Sequence, residues 1–257
     1  MIKIGKLVLT IFTFYYSSTL YASHSLLSSP LLHESHQLLL VRSPNWDANH
    51  GTLERYQRND SQHQWSEVGQ PISVVLGKHG MAWGSNLQKD HAEGPIKKEG
   101  DLRTPAGIFK LGPAFGFATT TNTEKNMRLP YVALTDTTVC VDDEKSIYYN
   151  QVVDRKMLVK SDWRSGEQMR QIPSYKWGAI IQYNMQPTVR AAGSCIFMHI
   201  ASPASTGTAG CVAMSESHIK ELLAWLDPEK KPVIALEPVS DNTPAILNDE
   251  NKAEHLQ

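Results

Sequence analysis

Short runs of apolar residues, separated by turn-forming residues, recur along most of the chain. Residues 52–58 alternate apolar and polar positions, as expected for a strand with one buried face. Gly69-Gln70-Pro71 predicts a turn, and Thr104-Pro105 predicts another that feeds a strand. The segments with a strand pattern are 37–41, 52–58, 65–68, 72–76, 106–111, 132–134, 138–141, 179–183, 195–200 and 233–236. Because these strands are short and outnumber the helices, the pattern predicts a mainly β domain with a few short helices.

Two segments have the pattern of a helix. Residues 216–226 carry isoleucine and leucine on one face, with Ser215 as the N-cap and Pro228 beyond the end. Residues 162–172 lie between a serine that could cap a helix and Pro173, which would stop it. We therefore predict a helix in each segment.

The two ends of the chain differ in composition from its middle. The first residues combine two lysines, an apolar run too short to span a bilayer comfortably, and a plausible cleavage point after Ala22. We predict a cleaved signal peptide at 1–22, a Ser- and His-rich leader at 23–36, one folded domain at 37–237 and an acidic disordered tail at 238–257. Export would place the protein in the periplasm or cell envelope.

The charge of the chain excludes some classes of partner. The formal net charge is −1. The lysines of the signal segment and the acids of the tail lie outside the folded part, which is close to neutral. A domain of this kind lacks the basic surface that binds nucleic acid or an anionic membrane. We therefore expect no nucleic-acid partner, and no later segment is apolar for long enough to span a membrane.

Three cysteines allow three possible disulfide pairings. In an oxidising compartment two of them would tend to pair and one would remain free. Cys211 lies in a glycine-rich loop after His199, where a thiol could be chemically useful. We therefore predict a Cys140–Cys195 disulfide and a free Cys211, with three unpaired, buried cysteines as the alternative.

His199 and Cys211 suggest an enzyme. An apolar run ends at His199, and a loop of small residues leads from it to Gly210-Cys211. The imidazole could take the thiol proton, the backbone carbonyl of Ile200 could orient the ring, and the amides of Gly210 and Cys211 could face an oxyanion. This pattern is typical of acyl transfer through a thioester. The alternative for His199 is a core histidine with satisfied hydrogen bonds.

At these residues the chain resembles the YkuD-type L,D-transpeptidases, which are bacterial cell-wall enzymes. The family signature ends in Ser or Thr, His, Gly and Cys, preceded by another His. Thr208, Gly210 and Cys211 match the first, third and fourth positions, and His199 matches the upstream histidine. Residues 100–109, GDLRTPAGIF, are similar to a strand entry of the family. The resemblance covers about 37–237 and implies a YkuD-like β-sandwich or barrel with a few short helices.

The resemblance also implies a reaction. Cys211 would attack the L-centre carbonyl of a peptidoglycan stem tetrapeptide, release the terminal D-Ala and pass the acyl group to an amine of another stem. The product would be a 3→3 cross-link. Water as acceptor would make the protein an L,D-carboxypeptidase, and a lipoprotein amine would make it an anchoring enzyme. The reaction needs neither a cofactor nor a metal, and carbapenems would be covalent inhibitors.

Two substrate contacts are predicted beside this chemistry. Thr208 is expected to contact the substrate as part of the signature. A substrate carboxylate would need a cation, for which Arg190 is our candidate, with Arg164 and Arg103 as alternatives.

Two departures from the signature motivate other functions. Ala209 replaces the histidine before the glycine, and Ala213 replaces the Arg or Asn two residues after the cysteine. A catalytically inactive peptidoglycan-binding protein is therefore the second hypothesis. A serine hydrolase using Ser194 or Ser205 is the third, although the chain lacks the G-x-S-x-G pattern.

Overall fold

The fold is that of a computed structural model, which describes residues 29–61, 64–84, 94–119, 127–202 and 206–239. The predicted signal peptide lies outside these residues. So do residues 23–28 of the predicted leader and residues 240–257 of the predicted tail.

Strands dominate the described residues, and the predicted mainly β fold is confirmed. The strands are β1 Gln37–Ser43, β2 His50–Gln57, β3 Ser66–Glu67, β4 Ile72–Val75, β5 Met81–Trp83, β6 Thr104–Gly116, β7 Tyr131–Ala133, β8 Thr138–Cys140, β9 Val152–Asp154, β10 Glu167–Gln168, β11 Trp177–Ile181, β12 Phe197–Ile200, β13 Val212–Met214 and β14 Val233–Pro238.

The main sheet closes on itself. Its strands follow the order β1-β14-β6-β11-β12-β13-β4-β2, and β2 pairs back with β1 in antiparallel register. β3 extends the sheet beside β2, while β5 and β7 pair with β6. Successive side chains of a strand point to opposite faces of a sheet, so one face of this barrel fills its interior. Leu38, Leu40 and Met198 are among the fully buried side chains of that core.

Two helices lie against the barrel in the described residues. α1 (Pro30–Glu34) forms the end of the predicted leader and buries Leu32, and the Arg58 guanidinium donates to the carbonyls of Leu32 and His33 at 2.7 Å. α2 (Glu216–Trp225) is the predicted second helix, and the Ser215 hydroxyl accepts the amide of His218 as its N-cap. Neither helix is long and apolar enough to cross a membrane.

The helix predicted at 162–172 is wrong. This segment contains strand β10 and a short 3-10 turn, Met169–Gln171. No helix starts at residues 161–163, and the carboxylate of Asp162 instead accepts the Ser146 hydroxyl at 2.6 Å and the Ile147 amide at 3.0 Å. Pairing of β10 with β8 overrides the local start and stop signals.

A small second sheet consists of strands β10, β8 and β9 in that order. The predicted disulfide between Cys140 and Cys195 is present and joins β8 to the segment that enters β12. Together with the buried rings of Phe115, Tyr175 and Phe197, it forms a second hydrophobic cluster that also contains Cys211. The nucleophile predicted from the sequence therefore lies outside the barrel core, in this second cluster.

Candidate active site

The register of two parallel strands brings His199 and Cys211 to the same outer face of the barrel. Met198 pairs with Val212, and both side chains point into the barrel core. The alternation of side chains then places His199 on the opposite face, and Cys211, one residue before Val212, on that face as well. Both residues line one cavity of about 360 Å³.

The thiol of Cys211 is free and buried, with 4% of the residue exposed. Its sulfur accepts the Phe197 amide at 3.4 Å, and the thiol donates to the carbonyl oxygen of Cys195 at 3.5 Å. Burial, and then the nearby carboxyl of Glu167, raise the pKa of Cys211 to about 12. The resting group is therefore a neutral thiol at physiological pH, and it needs a base before it can act as a nucleophile.

The ring of His199 can supply that base. Its Nδ1 lies 2.8 Å from the carbonyl oxygen of Ile200. A carbonyl oxygen only accepts, so Nδ1 carries the hydrogen and Nε2 keeps its lone pair. Burial lowers the pKa of His199, which leaves the imidazole neutral and able to take a proton.

The loop before Cys211 is held by Thr208. The amide of Gly210 donates to Oγ1 of Thr208 at 3.1 Å, and the Thr208 hydroxyl donates to the carbonyl of Cys211 at 2.7 Å. Gly210 has a φ of 142°, and a Cβ there would lie 2.9 Å from the Arg103 carbonyl oxygen. A glycine is therefore needed for this close approach.

Comparison with known families settles what kind of domain carries this cavity. The family model of the L,D-transpeptidase catalytic domain, YkuD, matches residues 47–234. The chain belongs to the YkuD family. The matched residues are a domain of the L,D-transpeptidase catalytic kind.

Two further comparisons add little to the YkuD assignment. No curated protein matches the chain. Among solved structures, it is similar to Bd1075 of Bdellovibrio bacteriovorus, with a TM-score of 0.39 and 14% identity over 84% of this chain and 52% of that one. The chain therefore spans about half the length of Bd1075.

The predicted site residues of this YkuD domain fall into two groups. Cys211, His199 and Thr208 line the cavity together. Ile200 and Gly210 are not among the described residues that line it. The Ile200 carbonyl orients the His199 ring, and the Gly210 amide that was expected to face an oxyanion is bonded to Thr208 instead.

Arg190 does not join them. Its guanidinium donates to the carbonyl oxygen of Glu144, and it is not among the residues that line the cavity in the described part of the chain. Arg103 is also engaged elsewhere, on the carbonyls of Trp46 and Met81 and the carboxylate of Asp47. The structure therefore does not support Arg190 as a substrate contact.

Three residues of the YkuD site were not found from the sequence. Tyr175 and Glu167 line the cavity beside Cys211. Lys97 is buried, pairs with Asp101 at 2.5 Å, and its positive charge lowers the pKa of Cys211. Lys97 stands in a charged run typical of an exposed loop, and the other two carry no motif, so the sequence contained no signal for them.

The geometry does not favour Ser194 as the nucleophile of a serine hydrolase. The Ser194 hydroxyl donates to the carboxylate of Glu99 at 2.8 Å, although a serine nucleophile would need a base such as an imidazole beside it. Ser205 lies outside the described residues.

Proposed function

We propose that the protein is an exported cysteine acyltransferase that acts on peptidoglycan stem tetrapeptides through a thioester on Cys211. The observation that carries the proposal is the shared cavity, in which a free thiol and an imidazole with an available Nε2 face the same space. This pair provides the nucleophile and the general base of acyl transfer.

Each proton in the proposed reaction has a donor and an acceptor. Nε2 of His199 takes the thiol proton as the sulfur of Cys211 attacks the carbonyl carbon. The imidazolium returns that proton to the amine of the departing D-Ala, which leaves a thioester. An acceptor amine then attacks the thioester, His199 takes its proton, and the sulfur leaves and is protonated again.

The oxyanion of the tetrahedral intermediate would be stabilised by a backbone amide. The Gly210 amide is bonded to Thr208 in the resting structure, so we retain the amide of Cys211 as the candidate donor. Thr208 then acts by holding the loop in place rather than by binding the substrate.

The acyl acceptor decides which enzyme of the family this is. We propose an amine of a second stem as acceptor, which gives a 3→3 cross-link. Water would give an L,D-carboxypeptidase, and a lipoprotein amine would give an anchoring enzyme. Carbapenems, which carry a strained acyl group, would acylate the same thiol.

The disulfide supports the export of the protein, which is part of the proposal. The Cys140–Cys195 disulfide is of the kind that persists in oxidising compartments, and the bacterial periplasm is one. We therefore retain the predicted signal peptide and a periplasmic or envelope location as part of the proposal.

Mass analysis of reaction products tests the proposal. The purified protein is incubated with disaccharide-tetrapeptides, and dimers are expected for a transpeptidase or tripeptides for a carboxypeptidase. Replacement of Cys211 by alanine should abolish the products, whereas S194A should not. Binding of the tetrapeptide without any product would instead favour the inactive binding protein, and loss of product in S194A alone would favour the serine hydrolase.

A further inference from the structure

Tyr175 is hydrogen-bonded to Glu167 and lines the same cavity as Cys211. Its hydroxyl donates to Oε2 of Glu167 at 2.7 Å, and its side chain belongs to the same buried cluster as Cys211, with which it interacts electrostatically. The residue is 5% exposed, and its ring makes edge contacts with the rings of Phe197 and His199 at centroid distances of 5.4 and 5.2 Å. This packing keeps the hydroxyl beside both neighbours.

A phenol has one hydrogen to donate, so its two neighbours compete for it. Burial raises the pKa of Tyr175 well above its usual value, and the phenol stays protonated. An ionised Glu167 can only accept, and it holds the hydrogen of Tyr175. A protonated Glu167 has its own hydrogen to donate to the phenol oxygen, which frees the hydrogen of Tyr175 for the sulfur of Cys211.

The surroundings of Glu167 make both of its forms accessible near neutral pH. Burial is the main cause that raises the pKa of this carboxyl to about 7, and the negative charges of Asp142, after β8, and Glu99, before β6, add to it. The hydrogen bond from Tyr175 acts in the opposite direction and lowers it.

Two more titratable groups belong to the surroundings of Cys211. Lys97 favours the thiolate of Cys211 through its charge. His199 has a pKa lowered by burial, so its own titration falls below that of Glu167.

We propose that Glu167 is a positioning residue that controls, through Tyr175, whether a hydrogen bond is offered to the sulfur of Cys211. The proposal rests on Cys211 being the nucleophile of the proposed function. Protonation of Glu167 takes up one proton from solvent and reorients two hydrogen bonds, while Tyr175 keeps its proton throughout. The protonated state stabilises the thiolate, and it also stabilises the sulfur as it leaves the thioester.

The sign of the effect follows from this competition. Below the pKa of Glu167 the thiolate receives the hydrogen bond of Tyr175 and has no carboxylate beside it. Above that pKa it loses the hydrogen bond and gains a negative neighbour. The pKa of Cys211 is therefore higher in alkaline than in acidic solution, and thiolate formation rises less steeply with pH around 7 than for an isolated thiol.

Alkylation of Cys211 by iodoacetamide, followed by mass spectrometry across pH 5–9, tests the proposal without any substrate. In the wild-type protein the logarithm of the rate should show a shoulder near the pKa of Glu167. In E167Q the amide imitates the protonated carboxyl, so the shoulder should disappear and the rate at pH 8 should rise by about tenfold, the effect of one pKa unit. Y175F should slow the alkylation below pH 7, and it should reduce the increase in rate that E167Q causes at pH 8.

The barrel offers a matched control for these variants. Tyr56 donates to Oε2 of Glu54 at the same 2.7 Å, away from the cavity, and E54Q should leave the profile of Cys211 unchanged. A wild-type profile without a shoulder, an E167Q profile equal to the wild type, or a thiol that no pH makes reactive would each overturn the proposal. Tetrapeptide turnover is measured separately. If turnover is absent although the profile is as expected, the proposed function fails and the Glu167 effect stands.

Discussion

At the scale of single residues, the proposed catalysis depends on how a buried, neutral thiol loses its proton. The carbonyl of Ile200 fixes the tautomer of His199, and burial keeps the ring uncharged at neutral pH. The thiol of Cys211 has a pKa of about 12, so a spontaneous thiolate would be rare. The base must therefore act within the chemical step.

Removal of the His199 imidazole should slow the reaction severely but should not unfold the protein. We expect H199A to lower the rate of product formation by about 10²–10⁴-fold, the usual contribution of a general base. The control is H218A on helix α2, which should turn over at close to the wild-type rate. A near-wild-type rate in H199A, with products measured by mass, would mean that His199 has a structural role.

The site residues that were predicted from the sequence are neighbours along the chain. His199, Ile200, Gly210 and Cys211 are close together along the chain, so a local pattern and a family signature could identify them. Tyr175 and Glu167 come from segments that only folding brings to the thiol. Side-chain contacts across elements leave no periodic trace in the sequence, which is why these partners were missed.

At the scale of elements, the loop that leads into β13 sets the position of the proposed nucleophile, Cys211. The Thr208 hydroxyl holds this loop through two hydrogen bonds. The backbone amide of Thr208 donates to the carbonyl of Leu76 at 2.8 Å. The loop is thereby attached to the end of β4.

A matched pair of substitutions at Thr208 tests the role of its hydroxyl. T208V keeps the shape but removes both hydrogen bonds, and we expect it to lower the free energy of unfolding by about 1–3 kcal/mol. T208S keeps the hydroxyl and should lose less. Urea denaturation measures both, and equal stability of T208V and T208S would show that the hydroxyl does not hold the loop.

Local patterns predicted most elements of this fold but not those that depend on distant pairing. Helix α2 has its cap, apolar face and stop within one short segment, and it was predicted almost to the residue. Residues 162–172 also have the sequence signals of a cap and a stop, yet Glu167 and Gln168 within them pair with β8. β6 continues to Gly116, beyond its predicted end, because β11 and β7 supply partners for its second half.

At the scale of the whole molecule, the disulfide attaches the small sheet to the segment that enters β12, beside the cavity. It closes a loop of 55 residues between Cys140 and Cys195. The third cysteine is free, so one reactive thiol should be titrated in the denatured, unreduced protein. Three thiols would contradict the pairing.

Loss of this bridge should weaken the fold and the site together. We expect the double variant C140A/C195A to lose about 2–4 kcal/mol of stability, the typical contribution of a native disulfide. Denaturant unfolding of the oxidised wild type and the variant measures this loss. Equal midpoints would show that the bridge does not stabilise the attachment of the small sheet.

The central claim is that Cys211 carries the acyl group, and trapping the acyl-enzyme tests it most directly. The protein is mixed with disaccharide-tetrapeptide, quenched in acid within the first turnover, digested and analysed by mass spectrometry. The account predicts an adduct equal to the substrate without its terminal D-Ala, on the peptide that contains Cys211, and no adduct in C211A. Turnover of the tetrapeptide by C211A, or an adduct on any other residue, would contradict it.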